Sequence, residues 1–305
     1  MQKIIKKIRT DMNISQKEFA EKIGVTASTV NRWEKGAAPT ENMAEGIYSL
    51  CVKNNIPAYD MIIDEIKAAA DSIVLEENRI LLYHGSKSGI NGRIMPKSRD
   101  KCDFGKGFYM GTEPSQPLTL ICDYPKSKFY IVSLDLKNLD LLNVEPDLEW
   151  AMLIAYNRGK MDKIKGTGFY KKYRNMSENK DLIVGSIAND IMFYVIDNFF
   201  NGNITDIALV NSLSALKLGK QYAVVTQKGC DAVRIEKELD ISGFEKRFLR
   251  TIADKNRKSG VDFANRVCKD YRREKACEKT EFIFSYAFNF KIYLSSLGGY
   301  ILFLK

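Results

Sequence analysis

The run SQKEFAEKIGVTASTVNRWEKGAAPT, which begins at Ser15, is the sequence feature that most narrows what this chain can fold into. Ser15 and Glu18, three residues apart, match a capping box, which predicts a helix over residues 16–23. Gly24 follows at the point where a residue with positive φ ends a helix. A second helix is predicted over residues 27–35. Two short helices joined by a turn that contains glycine indicate a helix-turn-helix.

Within residues 3–53 the sequence closely resembles the Cro/Xre-type repressor family. The shared features are Ala20 at the helix crossing, Gly24-Val25 at the turn, and the string Arg32-Trp33-Glu34-x-Gly36. The resemblance implies DNA binding, as a homodimer, with the second helix in a major groove. A small helical bundle that binds only protein is the alternative.

The resemblance also implies which side chains face the DNA. Val30 and Trp33 are expected in the core, and Gln16 near a phosphate at the start of its helix. The residues left to face the groove are Ala27, Ser28, Thr29, Asn31 and Arg32.

From Arg79 onward, short runs rich in β-branched and aromatic residues predict strands. These runs are ILLYHGS, KGFYMGT, KFYIVSLDL, DLIVGS, DIALV, QYAVVT and CDAVRI, and helices are predicted over residues 146–158 and 189–200. We therefore expect an all-α helix-turn-helix domain followed by an α+β domain with a mainly antiparallel sheet. The predicted segments are a DNA-binding domain at 1–56, a linker helix at 57–78, the α+β domain at 79–240 and a basic extension at 241–305.

Two motifs in the α+β segment occur in a characteristic order. His84-Gly85-Ser86 ends one predicted strand, and the string Phe104-Gly105-Lys106-Gly107-Phe108-Tyr109 begins the next. This order resembles the poly-ADP-ribose polymerase and diphtheria-toxin class of ADP-ribosyltransferases. The region also resembles an uncharacterised bacterial domain family found beside Xre-type modules, through the stretch DLIVGSIANDIMFYVIDNFFNG.

The resemblance to the ADP-ribosyltransferases implies a transferase-like fold with a mainly antiparallel split sheet. It also implies that NAD is bound as a substrate. His84 is expected to hydrogen-bond a ribose hydroxyl, Gly85 to allow close approach of the backbone, and Tyr109 to stack on the nicotinamide ring. The further cofactor-binding candidates are Ser86, Gly105, Gly107, Phe108, Asn189 and Asp190. The alternative for His84 and Tyr109 is a structural role, one at a strand end and the other in the core.

Gln221 stands where the family resemblance places a catalytic glutamate. A glutamine donates and accepts hydrogen bonds but carries no negative charge and cannot act as a base. Three outcomes stay open: weaker mono-ADP-ribosylation, transfer to a nucleophile that needs no base, or NAD binding without turnover. Asp190 and Glu236 are the candidates for the missing carboxylate.

Composition limits the remaining possibilities. His84 is the only histidine and the six cysteines form no C-x-x-C pair, so no metal site is expected. The N-terminus lacks the pattern of a signal peptide, and the apolar stretch 282–304 favours buried strands over a membrane span, so we expect a cytoplasmic protein. Residues 244–305 hold fourteen Lys/Arg against seven Asp/Glu, which suits either nucleic acid or a solvated helix face.

Two functions follow from these observations. The first is an NAD-dependent mono-ADP-ribosyltransferase of the toxin or phage-defence type, which modifies a macromolecular acceptor and regulates its own operon. An antitoxin would then be a candidate partner. The alternative is a transcriptional regulator whose C-terminal domain is an inactive sensor of NAD, another ligand or a partner.

Overall fold

The computed structural model describes residues 4–187, 190–201, 203–215 and 219–270. The helices are α1 (Ile4–Asp11), α2 (Gln16–Ile23), α3 (Ala27–Glu34), α4 (Glu41–Lys53), α5 (Ala58–Asp71), α6 (Ser115–Ile121), α7 (Leu148–Asn157), α8 (Gly168–Met176), α9 (Asp190–Phe200), α10 (Asp206–Ala215), α11 (Gln227–Asp231) and α12 (Gly243–Asp270). The strands are β1 (Arg79–Ser86), β2 (Phe108–Gly111), β3 (Lys128–Asp135), β4 (Leu141–Val144), β5 (Leu182–Ser186), β6 (Lys220–Val224) and β7 (Val233–Asp240).

An N-terminal helical region is followed by an α+β domain whose strands form one mixed sheet in the order β4-β5-β6-β2-β1-β3-β7. Strand β4 runs parallel to β5. The pairs β1–β2, β1–β3, β3–β7 and β5–β6 are antiparallel. In the long β1–β3 ladder, His84 lies opposite Tyr130 and Gly85 lies opposite Phe129. Because successive residues of a strand alternate, His84 and Gly85 lie on opposite faces of the sheet.

The chain divides into two compact units. The first comprises the described residues of Met1–Ile94, Met110–Asn138 and Asp231–Asn256. Its hydrophobic core is continuous from Ile8 and Phe19 of the helix-turn-helix, through Ile62 of α5, to Ile131 of β3 and Leu249 of α12. Each of these five side chains is fully buried. The N-terminal helices therefore share one core with part of the sheet.

The second unit comprises the described residues of Met95–Tyr109, Leu139–Cys230 and Arg257–Lys305. Its core is built around α7, in which six consecutive residues from Trp150 to Ala155 are buried. Phe199 of α9 and Leu209 of α10 pack into the same core. A helix that is apolar on every side is expected where neighbours surround it completely.

Several predicted elements are confirmed within narrow limits. Helix α2 has the predicted bounds, and α3, α7 and α9 begin and end within two residues of theirs. Six of the seven runs predicted to form strands do so, and they contain β1, β2, β3, β5, β6 and β7. The linker helix expected to reach residue 78 ends at Asp71, where the β-branched residues Ile73 and Val74 soon follow.

The prediction of a strand at DIALV is wrong, because Asp206–Ala215 forms helix α10. The Thr205 hydroxyl accepts a hydrogen bond from the Ala208 amide at 3.2 Å, as a helix cap does. Ala208 and Ser212, four residues apart, are both buried. A five-residue apolar run fits a strand and a helix equally well. Here the cap at Thr205 and the burial of two residues four positions apart identify a helix.

Among the described residues, no helix is long and apolar enough to span a bilayer. The apolar stretch at 282–304 and the end of the predicted basic extension lie outside the described residues. The division of the chain into segments 1–56, 57–78, 79–240 and 241–305 stays a prediction.

Gly85 is required where α6 crosses the sheet. A Cβ at Gly85 would lie 2.6 Å from the carbonyl oxygen of Pro117 and 2.8 Å from Cγ2 of Ile121. We predict that Gly85→Ala lowers the free energy of unfolding by about 1–3 kcal/mol, because the backbone of α6 must move.

Gly46→Ala is the matched control, because a Cβ there meets nothing closer than 3.9 Å. Gly46 lies inside α4, so this variant is expected to gain up to about 1 kcal/mol from helix propensity. Urea unfolding of both variants measures the difference. Equal stability of the two variants would contradict the packing of α6 on Gly85.

Candidate functional site

The helix-turn-helix owes its geometry to its caps. The Glu18 amide donates to the Ser15 hydroxyl at 3.2 Å, and the Ser15 amide donates to the Glu18 carboxylate at 2.7 Å. Gly24 ends α2 with φ of 80°, in the left-handed region that glycine tolerates best. The Thr26 hydroxyl accepts from the Thr29 amide and caps α3. Both short helices are thus set by local hydrogen bonds.

Helix α3 buries Val30 and Trp33, as the sequence indicated. The predicted groove residues comprise the exposed side chains of Ala27, Ser28 and Arg32 and the half-buried side chains of Thr29 and Asn31. The Thr29 hydroxyl lies 3.0 Å from that of Thr26, so it also belongs to the cap. Ser28 and Arg32, one helical turn apart, are the exposed polar pair on this helix.

Gln16 takes part in a network that the sequence analysis missed. Its amide donates to the Glu34 carboxylate at 2.8 Å, and Arg9 donates to the same carboxylate at 2.6 Å. Burial works to raise the pKa of Glu34, but the hydrogen bonds from Arg9 and Gln16 outweigh it and hold that pKa below its ordinary value. This network ties α1, α2 and α3 together. Arg9 and Glu34 are too far apart in the sequence for any local pattern to pair them.

His84 lies on β1 in the first unit and is half-buried. Its ring centroid is 6.2 Å from that of Tyr130, the residue opposite it on β3. The neighbouring Ser86 hydroxyl donates to the carbonyl of Gly89 at 2.9 Å. Gly85, as described above, is needed for the packing of α6, which is a structural cause that acts without any ligand.

The glycine-rich segment before β2 is a tight loop that satisfies its own backbone groups. The Tyr109 hydroxyl donates to the Gly105 carbonyl at 2.7 Å and accepts from the Phe104 amide at 2.9 Å. The Gly107 amide donates to the Ser98 hydroxyl at 3.2 Å. Burial raises the pKa of the Tyr109 hydroxyl well above its ordinary value, with a smaller contribution from nearby Cys102 and Asp103.

The remaining candidates of this region fall into three kinds. Phe108, the first residue of β2, is buried. Gly105 has φ of 80°, and a Cβ at Gly107 would lie 3.0 Å from the carbonyl oxygen of Val224, so the fold itself favours glycine at both positions. Asp190 begins α9, and Asn189 lies outside the described residues.

Gln221, at the start of β6, is buried and holds a carboxylate. Its Nε2 donates to Oδ2 of Asp103 at 2.9 Å and to the carbonyl of Ser186 at 3.1 Å. Both partners accept only, so the amide nitrogen must be the atom that faces them. Its Oε1 accepts no hydrogen bond from the residues that the structure describes.

Asp103, which was not among the carboxylates predicted from the sequence, is the carboxylate next to Gln221. Its Oδ1 accepts from Nη2 of Arg158 at 2.6 Å and from Nε at 3.1 Å. The Arg158 guanidinium in turn lies over the ring of Phe193, with its central carbon 3.5 Å from the ring centroid. Asp103 stands directly before the recognised Phe-Gly-Lys-Gly string, but nothing in the sequence links it to Gln221.

The other proposed carboxylate, Glu236, lies in the first unit and accepts a hydrogen bond from the Ser133 hydroxyl. Gln221 and Tyr109 lie in the second unit.

In the described part of the chain, no three His, Cys, Asp or Glu side chains come together as a metal site would require.

Comparison with known proteins gives two family matches. The family described as "Protein of unknown function (DUF3990)" matches residues 80–235. The family described as "Helix-turn-helix" matches residues 5–47. No curated protein and no solved structure matches the chain.

The buried network predicts an unusual response to Gln221→Glu. A second carboxylate would lie beside that of Asp103, with one guanidinium to balance both, so the pKa of the pair rises above that of the unfolded chain. The folded state then binds more protons than the unfolded state, and the variant loses stability as pH rises from about 4 to about 7.

Gln221→Met is the control, because it removes the amide donor without adding charge. It is expected to cost about 1–3 kcal/mol through the unsatisfied partners, with no new dependence on pH. Urea unfolding at about pH 5 and about pH 8 compares both variants with the wild type. The network is contradicted if the two variants change with pH in the same way.

Proposed function

The chain belongs to the DUF3990 family and carries a DNA-binding helix-turn-helix, and on that premise we propose that it is a DNA-binding regulator whose C-terminal domain is an NAD-dependent mono-ADP-ribosyltransferase. The helix-turn-helix match and the exposed polar residues of α3 support the first half of the proposal. The orientation of Gln221 carries the second half.

The DNA-binding half acts through α3. Ser28 and Arg32 are exposed one turn apart, and Val30 and Trp33 fix the helix from behind. We propose that a homodimer places this helix in successive major grooves of an inverted repeat upstream of its own gene. The region 1–70 holds nearly equal numbers of basic and acidic residues, so base contacts rather than bulk charge must supply most of the specificity.

The transferase half rests on one atom, Oε1 of Gln221. The amide nitrogen is fixed by the Asp103 carboxylate and the Ser186 carbonyl, so Oε1 is left to accept a hydrogen bond from a ligand hydroxyl. A ribose hydroxyl of NAD is the proposed donor. The Asp103 carboxylate behind the amide polarises it and makes Oε1 a better acceptor, which supplies part of the charge that a glutamate would carry.

The other roles are assigned residue by residue from the ordered motifs. His84 hydrogen-bonds a ribose hydroxyl of NAD. The Tyr109 hydroxyl is engaged in the loop, so only its ring is left to contact nicotinamide. The proposed reaction breaks the bond between nicotinamide and ribose and joins ADP-ribose to a macromolecular acceptor, protein or nucleic acid. A toxin or phage-defence effector of this kind needs an antitoxin or similar partner to restrain it.

A second candidate is a regulator whose C-terminal domain binds NAD or another ligand without turnover. One observation favours it: the Arg158 guanidinium already pairs with Asp103, so the negative charge beside Gln221 is largely balanced. A balanced carboxylate stabilises a cationic ribose less than an unpaired one. Nicotinamide release separates the two candidates.

The DNA-binding proposal predicts the effect of two substitutions on α3. Arg32→Ala and Ser28→Ala are each expected to weaken specific binding to the upstream region by roughly 1–3 kcal/mol per lost base contact. Lys53→Ala, at the exposed end of α4, is the control and should bind like the wild type. Fluorescence anisotropy with the upstream duplex and a scrambled duplex measures both. Equal affinity of the wild type for the two duplexes would refute specific recognition.

The NAD proposal predicts that His84→Ala abolishes NAD binding and nicotinamide release. Gln221→Ala is expected to lower the rate of release by about 10²–10³ if Oε1 acts in the transition state. Thermal melting of the apo variants is the control for folding. NAD affinity retained in His84→Ala, together with a large loss of apo stability, would instead assign His84 a structural role.

A further inference from the structure

The second unit contains a cavity of about 360 Å³ beside the end of α7. Its walls come from the loop before β2, the last turn of α7 with the residues that follow it, and α9. The lining residues are Arg99, Lys101, Ile154, Ala155, Arg158, Lys160, Phe193, Ile196 and Asp197. The volume lies at the lower end of the range for small-molecule sites, which run from roughly 300 to 1,000 Å³.

The charges that line this cavity do not balance. Lys160 pairs with Asp197 at 2.7 Å, and Arg158 pairs with Asp103 at 2.6 Å. Arg99 and Lys101 form no ion pair with any residue that the structure describes, which leaves two cations unbalanced at the cavity.

Two carboxylates near the unbalanced cations form ion pairs with other lysines. Asp100, between Arg99 and Lys101 in the chain, pairs with Lys106 at 2.8 Å. Asp162, which flanks Gly159 on the side of Lys101, pairs with Lys165 at 3.2 Å. Each of these carboxylates is shared with another lysine, and neither lies within 4.0 Å of a charged nitrogen of Arg99 or Lys101.

The inner wall of the cavity is apolar. Ile154 and Ala155 of α7 and Ile196 of α9 are fully or almost fully buried and close the cavity from behind. The half-buried ring of Phe193 is the lining apolar group with the most surface left for a ligand. The Arg158 guanidinium lies over the Phe193 ring, 3.5 Å from its centroid, which favours a cation–π contact at the cavity wall. A ligand that suits both parts has an anionic end of about two charges and an apolar organic end.

We propose that this cavity binds the phosphate monoester of a small organic molecule, with the phosphate on Arg99 and Lys101 and the organic part against Phe193 of α9. A monoester carries about −1.5 to −2 charges near neutral pH, which matches the two unbalanced cations, whereas a diester carries one. Arginine and lysine are the usual phosphate ligands among side chains. The site stands whether or not the domain turns over NAD.

The organic part of the ligand is unidentified, so the test uses defined probes. Isothermal titration calorimetry of the full chain compares its affinities for AMP, inorganic phosphate, cyclic AMP and adenosine. AMP is expected to bind, inorganic phosphate to compete with it, cyclic AMP to bind about tenfold more weakly or worse, and adenosine not to bind. Affinity for AMP should fall as pH drops below about 6, where the monoester loses its second charge.

Arg99→Gln and Lys101→Gln are each expected to weaken AMP binding by about tenfold to a hundredfold, since each removes one charge-assisted contact. Lys171→Gln is the matched control, because Lys171 is an exposed lysine of α8 in the same unit that does not line the cavity. It should bind AMP like the wild type. Both charge variants are at exposed positions, so loss of folding is not expected.

Three results would overturn the proposal. The first is a wild-type chain that binds neither AMP nor inorganic phosphate. The second is binding that survives in both Arg99→Gln and Lys101→Gln. The third is cyclic AMP binding as tightly as AMP, which would remove the argument from two charges.

Discussion

The buried carboxylate of Asp103 is the constraint on which the second unit depends. A carboxylate that leaves water must be paired and fully hydrogen-bonded, or it destabilises the fold. Arg158 at the end of α7 and Gln221 at the start of β6 supply those bonds. Through these contacts one side chain fixes the loop before β2 against a helix and a strand.

The same arrangement sets what the site can do. Because Asp103 and the Ser186 carbonyl take both amide protons of Gln221, its Oε1 has a defined direction. Because Arg158 pairs with Asp103 and lies on Phe193, the guanidinium also forms part of the cavity beside α7. The proposed ribose contact and the proposed phosphate site therefore share the Asp103–Arg158 pair, and loss of that pair should disturb both.

The sequence predicted most accurately where structure is local. The bounds of α2 follow from Ser15 with Glu18 at its start and Gly24 at its end, each of which acts on residues at most four positions away. The strand at His84 follows from its β-branched and aromatic neighbours. The same reasoning failed at α10, because a short apolar run does not distinguish a strand from a helix.

Long-range pairs were beyond prediction. Asp103 and Gln221 meet across more than a hundred residues. The close contact of Gly85 with α6 likewise arises only once the helix has packed on the sheet. The family resemblance assigned Gly85 and Gly107 to a ligand, although close packing requires a glycine at Gly85, against Pro117, and favours one at Gly107, against Val224. Such positions carry a structural cause that a motif cannot separate from a functional one.

The central claim is that Gln221 serves a transferase. Incubation of the purified chain with NAD labelled on the adenylate moiety, in a cell lysate, tests it most directly. If Gln221 serves a transferase, label enters one class of macromolecule with the wild type, and none is transferred by His84→Ala. Absence of transfer to protein and to nucleic acid by a wild type that binds NAD would contradict it and favour the inactive sensor.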